Sequence, residues 1–272
     1  VGICIHLTPL NTIELANPTK SPVTPPPMAI IIESLLILWD KIKFNRIESL
    51  SKDKPKGFIE INNITLIERS IENLINEGIT SIYIGTGYKS LFYENLKNKY
   101  DSIITVKNLD YKSTGSFHTL YQFKSVLSED FILLESDLIY ERFAIHKLIS
   151  DKRKNIILSS NFSKSGDEVY VIEKADTLTR LTKNPNKGES PSSEFIGINK
   201  ISNSLFKEMC LIYEKINRKD LEYEELLNEC AASTKIYIKN LKEIAWCEID
   251  NLDHLRRALK IINPKILQNE KI

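Results

Sequence analysis

Three groups of residues in this sequence carry charge where chemistry could use it. Asp137 sits in Phe131 to Tyr140, FILLESDLIY, where an apolar run meets Glu135, Ser136 and Asp137 before Leu138 and Ile139 resume. Such a run suits a central strand buried on both faces of a parallel sheet. A carboxylate at its carboxyl end lies where open α/β sheets bind ligands, so Asp137 either bonds a loop amide at a polar strand end or holds something. Asp250 stands at the end of a second strand-like run, Ala245 to Ile249. The third group is the loop Arg46 to Gly57, RIESLSKDKPKG, with Arg46, Lys52, Lys54 and Lys56. Arg grips oxygens as a fork and Lys acts as a compact charge, so the loop suits a polyphosphate; a solvated basic loop is the plainer reading.

The elements that must position these groups follow from periodicity. Strand-like runs alternate with helix-like ones from Ala29 onward, the pattern of a mostly parallel sheet covered by helices. Strands are expected at Ile30–Leu38, Ser81–Ile84, Ile103–Val106, Phe131–Leu134, Ile156–Ser159, Phe195–Lys200, Lys235–Ile238 and Ala245–Ile249. Helices are expected at Thr65–Glu77, capped by Gly78, and at Tyr88–Tyr100, Thr119–Leu127, Leu205–Asn217, Tyr223–Ala232 and His254–Ile262. Val169–Ile172 and Thr177–Leu181 form a β-hairpin, an antiparallel addition. Six of the ten prolines fall within Val1–Pro27, which predicts an irregular arm over 1–27 and a folded domain over 28–272.

Composition narrows the classes. A formal net charge of +1 gives no global attraction to nucleic acid or to an anionic membrane. The apolar segment Ala29–Trp39 is broken by Glu33 and falls short of the ~20 residues a membrane span needs. Cys4, Cys210, Cys230 and Cys247 show no CxxC spacing, against a zinc site or a disulfide framework, so a reducing cytoplasm is the expected compartment.

Several segments together resemble the sugar-nucleotide-type nucleotidyltransferases, and within them the small cytidylyltransferases acting on phosphocholine and 2-aminoethylphosphonate. They are Arg46 with Pro55 and Lys56, the helix LIERSI at Leu66 to Ile71, ITVKN at Ile104 to Asn108, and YKSTGS at Tyr111 to Ser116. LLESDLIY at Leu133 to Tyr140, KSGDEVY at Lys164 to Tyr170 and EIDNLDHL at Glu248 to Leu255 complete the set. The resemblance implies a Rossmann-like α/β nucleotidyltransferase fold and transfer of CMP from CTP to a phosphonate or phosphate oxygen, with release of pyrophosphate. 2-Aminoethylphosphonate is the expected acceptor and phosphocholine its rival. It also implies Mg²⁺ held by Asp137 and Asp250, and a triphosphate gripped by Lys56 and Arg46. Gly85, Gly87 and Tyr88 with Thr114, Gly115 and Ser116 then surround the nucleotide. Ser165, Asp167, Glu168 and Tyr170 fall on the acceptor side, where a carboxylate would pair with an ammonium and an aromatic cage would suit choline. CTP and a small acceptor are the expected partners, with no nucleic acid and no membrane; a homodimer is left open.

The family's loop before the arginine has the form A-A-G-x-G-S-R, whereas this chain has Ile42 and Phe44 at the two glycine positions. Backbone amides reach a triphosphate there only where side chains do not intervene. Two expectations follow: residues 1 to about 45 are an aberrant stretch of sequence, or the protein binds without turning over.

Overall fold

The computed structural model of the chain describes residues 54–271, together with the backbone of two short strands before them, β1 (Gly2–Cys4) and β2 (Ala29–Glu33). The rest of the arm over 1–27, residues 34–53 with Ile42, Phe44, Arg46 and Lys52, and Ile272 lie outside the described residues.

After a small hairpin, β3 (Glu60–Ile61) and β4 (Ile64–Thr65), comes α1 (Leu66–Asn76). The Thr65 hydroxyl accepts from the Glu68 amide and donates to the Glu68 carboxylate, which stabilises the first turn by about 1 kcal/mol. Gly78 (φ +85°) ends the helix, since its left-handed backbone costs glycine nothing. Next come β5 (Ile82–Thr86), α2 (Leu91–Asn95), β6 (Ile103–Lys107), α3 (Ser116–Tyr121), β7 (Phe131–Glu135) and β8 (Leu138–Tyr140). The chain goes on through α4 (Phe143–Ile149), β9 (Ile156–Ser160), β10 (Tyr170–Lys174), β11 (Thr177–Thr182) and β12 (Ser193–Ile201). It closes with α5 (Asn203–Ile216), α6 (Tyr223–Cys230), β13 (Tyr237–Asn240), β14 (Trp246–Glu248), α7 (Leu252–Arg257), a π-helical turn at Ala258–Ile262 and α8 (Asn263–Asn269).

The main sheet is mixed and mostly parallel in its first half. β6, β5, β2 and β7 lie side by side and parallel, and β12 runs antiparallel between β7 and β9. The β10–β11 hairpin is the expected antiparallel addition. From β2 the chain moves outward to β5 and β6, then returns to the other side of β2 at β7. That reversal opens a crevice beyond the carboxyl ends of β2 and β7. β7 is buried along its whole length and alternates between two cores: Ile132 and Leu134 face one, Phe131 and Leu133 the other. The central strand is therefore buried on both faces, as its sequence requires.

Three helices depart from periodicity. Lys89 has φ +48°, so the helix expected from Tyr88 starts only at Leu91 and tightens to a 3₁₀ turn at Leu96–Asn98. The helix expected over Thr119–Leu127 instead starts at Ser116, directly after Gly115, and beyond Tyr121 its apolar residues continue in turns. The closing helix begins at Leu252 and runs on through the π-helical turn to Asn269. Among the described residues no helix is long and apolar enough to cross a membrane.

Candidate active site

β7 ends at Glu135, and two residues later the chain starts β8, which leaves the main sheet and pairs antiparallel with β14. The register sets Leu138 opposite Glu248 and Tyr140 opposite Trp246, and the ladder is extended where the Ile249 amide donates to the Asp137 carbonyl at 3.0 Å. Asp137 and Asp250 thus flank the same end of one short ladder, although 113 residues separate them in sequence. The cap that Asp250 could have supplied to α7 comes from Asn251, whose side-chain oxygen accepts from the Asp253 and His254 amides. The Asp250 carboxylate is left to face inward.

Lys56 joins the two. It leads a 3₁₀ turn, Lys56–Phe58, held down by the Phe58 ring against Phe92 and Tyr93, each 5.1 Å between ring centres. A side chain at Gly57 would press on the Ser136 carbonyl at 3.3 Å, so glycine lets the turn lie against the β7–β8 bend. From there the Lys56 ammonium donates to Asp137 Oδ2 at 3.2 Å and to Asp250 Oδ1. The lysine and two aspartates singled out in the sequence stand in contact.

Two carboxylates that the sequence reading left aside complete the cluster. Glu135 and Glu248, each two residues before one of the aspartates, approach Asp137 so that one oxygen of each of the three lies within 4.8 Å of the others. Burial raises Glu135 and Glu248 well above the usual carboxylate range, reinforced by Glu224 and Asp137 around Glu135 and by Asp250 and Asp137 around Glu248. Burial also raises Asp137, and Lys56 offsets this only in part. At Asp250 the pull of Lys56 outweighs burial and holds the carboxyl at about 2. Burial opposes the charge on Lys56, but Asp137 and then Asp250 raise it above an ordinary lysine. Asp137 Oδ1 is buried and has no hydrogen-bond partner among the described residues. A set of hard oxygen donors with one buried oxygen unsatisfied fits a divalent cation of the Mg²⁺ type.

Beside the cluster lies a cavity of about 350 Å³. Ser165 and Asp167 line it; Glu168, which accepts from the Gly166 amide, and Tyr170, packed on Phe162, do not. The wall is acidic, with Glu135, Glu194, Glu222, Glu224, Glu225 and Glu248 besides Asp167, against two cations, Lys183 and Arg257. The Lys183 ammonium meets Asp167 at 3.1 Å. Burial opposes its charge, yet Asp167, then Glu248 and Asp250, hold it above the usual lysine value.

The residues expected around the nucleotide divide into two groups. Gly85, Gly87 and Tyr88 lie at the carboxyl end of β5, on the same sheet edge as Asp137; a side chain at Gly87 would collide with Tyr111 at 2.6 Å. Thr114, Gly115 and Ser116 are buried against the segment that leads into α6. The Gly115 amide donates to the Lys219 carbonyl, the Ser116 amide to Glu222, and the Tyr223 amide to the Ser116 hydroxyl. A side chain on Gly115 would overlap the Leu221 carbonyl at 2.3 Å, so this turn is shaped by close backbone approach.

Sequence reasoning missed Glu135, Glu248, Lys183, Arg257 and Gly197. The repeated Glu-x-Asp spacing of Glu135 with Asp137 and Glu248 with Asp250 was a usable signal. Nothing local marked the other three, because strand register and helix phase bring them to the cavity.

The family described as nucleotidyl transferase matches residues 44–264. The CTP:phosphoglutamine cytidylyltransferase of Campylobacter jejuni is 27% identical over 237 residues, covering 78% of this chain and 93% of that protein. The 2-aminoethylphosphonate cytidylyltransferase of Lancefieldella rimae is 22% identical over 216 residues, covering 77% and 85%. The solved structure of the inositol-1-phosphate CTP transferase from T. maritima superposes with a TM-score of 0.70 at 16% identity, covering 82% of this chain and 91% of that one.

Proposed function

The chain belongs to the nucleotidyl transferase family, and on that premise we propose that it transfers a cytidylyl group from CTP to a small acceptor that carries a phosphonate or phosphate at one end and an ammonium at the other. 2-Aminoethylphosphonate is the simplest such acceptor. The observation that carries this reading is the Lys56 ammonium set between Asp137 and Asp250, beside an acidic cavity whose wall shares Glu135 and Glu248 with that cluster. Names of relatives that use CTP support the choice of nucleotide.

The acceptor oxygen attacks the α-phosphorus of CTP, a P–O bond forms there, the bond to the β-phosphate oxygen breaks, and pyrophosphate leaves. Asp137 and Asp250 would hold Mg²⁺, which when bound supplies charge neutralisation at the α-phosphate. Lys56, about 30% exposed at its side chain, is placed to turn toward the triphosphate. Lys183, held by Asp167 on the cavity wall, meets the anionic end of the acceptor, and the carboxylates of that wall meet its ammonium. Few aromatic side chains line the cavity, chiefly Phe195 and Trp246, and the Trp246 indole nitrogen is engaged by Ser160. A carboxylate-rich wall favours a primary ammonium over the aromatic cage suited to choline.

Pyrophosphate release measured with CTP, Mg²⁺ and either 2-aminoethylphosphonate or phosphocholine tests the proposal, and faster release with the primary amine is expected. Lys183→Met is expected to raise the acceptor KM roughly tenfold, with little change in the KM for CTP. An unchanged acceptor KM would remove Lys183 from the acceptor site. Ile42 and Phe44, in place of the family's loop glycines, favour a second reading, a binding protein without turnover. CTP binding by calorimetry without pyrophosphate release would select it.

A further inference from the structure

Arg257 is the cation of the cavity that the reaction above does not use. It lies on α7, half-buried on the cavity wall, with no hydrogen bond or ion pair among the described residues. Lys183, by contrast, is held by Asp167. The carboxylate whose charge feels Arg257, Glu194, is spent elsewhere: it is 2% exposed, and its two oxygens take the amide and the hydroxyl of Ser163, the latter at 2.8 Å. The guanidinium fork is therefore left open toward the cavity.

A wall so rich in carboxylates needs no arginine to bind an ammonium; a fork among them has a use where the ligand brings negative charge. The two cations of the wall differ in engagement: Lys183 is paired with Asp167, whereas Arg257, at the end of α7, has no ion pair among the described residues. We infer that Arg257 binds a carboxylate on the acceptor, so that the preferred acceptors are phosphonates or phosphates bearing both an ammonium and a carboxylate. This rests on the cavity being the acceptor site, and it adds a third recognised group to the phosphoryl group and the ammonium.

Two compounds isolate that group: 2-aminoethylphosphonate, and 2-amino-3-phosphonopropionate, which differs by a carboxylate on the amine-bearing carbon. Calorimetric binding of each to the full chain, in the presence of Mg²⁺ and CMP, is compared for the parent, Arg257→Met and Arg257→Lys. The parent is expected to bind the carboxylated compound on the order of tenfold more tightly, as for a bidentate charge-assisted pair. The ratio should fall to about one in Arg257→Met and to an intermediate value in Arg257→Lys, which keeps the charge without the fork. The ratio is internal to each protein, so a partly folded preparation scales both measurements alike. A parent ratio of one or below, a ratio kept in Arg257→Met, or no binding of either compound would overturn the inference. Because binding is measured without turnover, an inactive protein that still prefers the carboxylated compound would sink the proposed reaction and leave this inference standing.

Discussion

Asp137→Ala is expected to lower turnover by about 10³-fold or more, while the thermal unfolding midpoint stays within about 3 °C of the parent. The carboxylate is buried, and burial raises its pKa despite Lys56, so its place in the fold costs stability rather than supplying it. Its removal leaves Lys56 paired with Asp250, and β8 keeps its ladder because the Ile249 amide bonds the Asp137 carbonyl, which the substitution retains. Loss of activity without loss of fold separates a group that serves the reaction from one that holds the strand end. Steady-state kinetics beside calorimetric unfolding make the comparison, and activity within tenfold of the parent would take Asp137 out of the chemistry.

The second large effect is on stability and comes from a residue that takes no part in the reaction. Gly197 has φ +81° at the point where the pairing of β12 with β9 shifts register. A Cβ there would sit 2.7 to 2.9 Å from the Glu135 carboxyl group. Glu135 cannot readily swing away, since it is buried and bonded by the Tyr223 hydroxyl. Gly197→Val therefore combines a left-handed backbone that β-branched residues resist with overpacking of the cluster, a loss of about 3 kcal/mol. The unfolding midpoint should fall by roughly 6 to 12 °C. Pairing the change with Glu135→Ala is expected to restore the steric part and leave the backbone part. A midpoint unchanged in Gly197→Val would mean that the bulge is not needed to seat Glu135.

The sequence made the scaffold legible wherever burial imposed a period. The four apolar residues Phe131 to Leu134, running into Glu135, read as an interior strand, and Thr65 with Gly78 bracketed α1 correctly, because capping chemistry is local. Periodicity misled where backbone geometry prevailed, as at Lys89, whose positive φ delays α2, and at Gly115, which starts α3 early. Asp137 and Asp250 stood out as acids at strand ends, whereas Lys56 was one of four cations in its loop and was singled out only by the resemblance to the nucleotidyltransferases. Glu135, Glu248, Lys183 and Arg257 did not stand out, because their meeting depends on the antiparallel register of β8 with β14 and on the phase of α7. The TGS turn shows the same limit. Its partner is the segment from Lys219 to Tyr223, about a hundred residues away, and no local spacing announces that contact.

The central claim is that Lys56, Asp137 and Asp250 serve cytidylyl transfer to an acceptor lodged in the adjoining acidic cavity. Its most direct test is one incubation of the full chain with equimolar CTP, UTP, ATP and GTP, 2-aminoethylphosphonate and Mg²⁺, followed by ³¹P NMR. The expected result is a new phosphonate–phosphate anhydride pair of resonances, growing in step with pyrophosphate at the expense of CTP, and absent with Asp137→Ala. Unchanged acceptor and nucleotides, or a product formed as readily from another nucleotide, would contradict it.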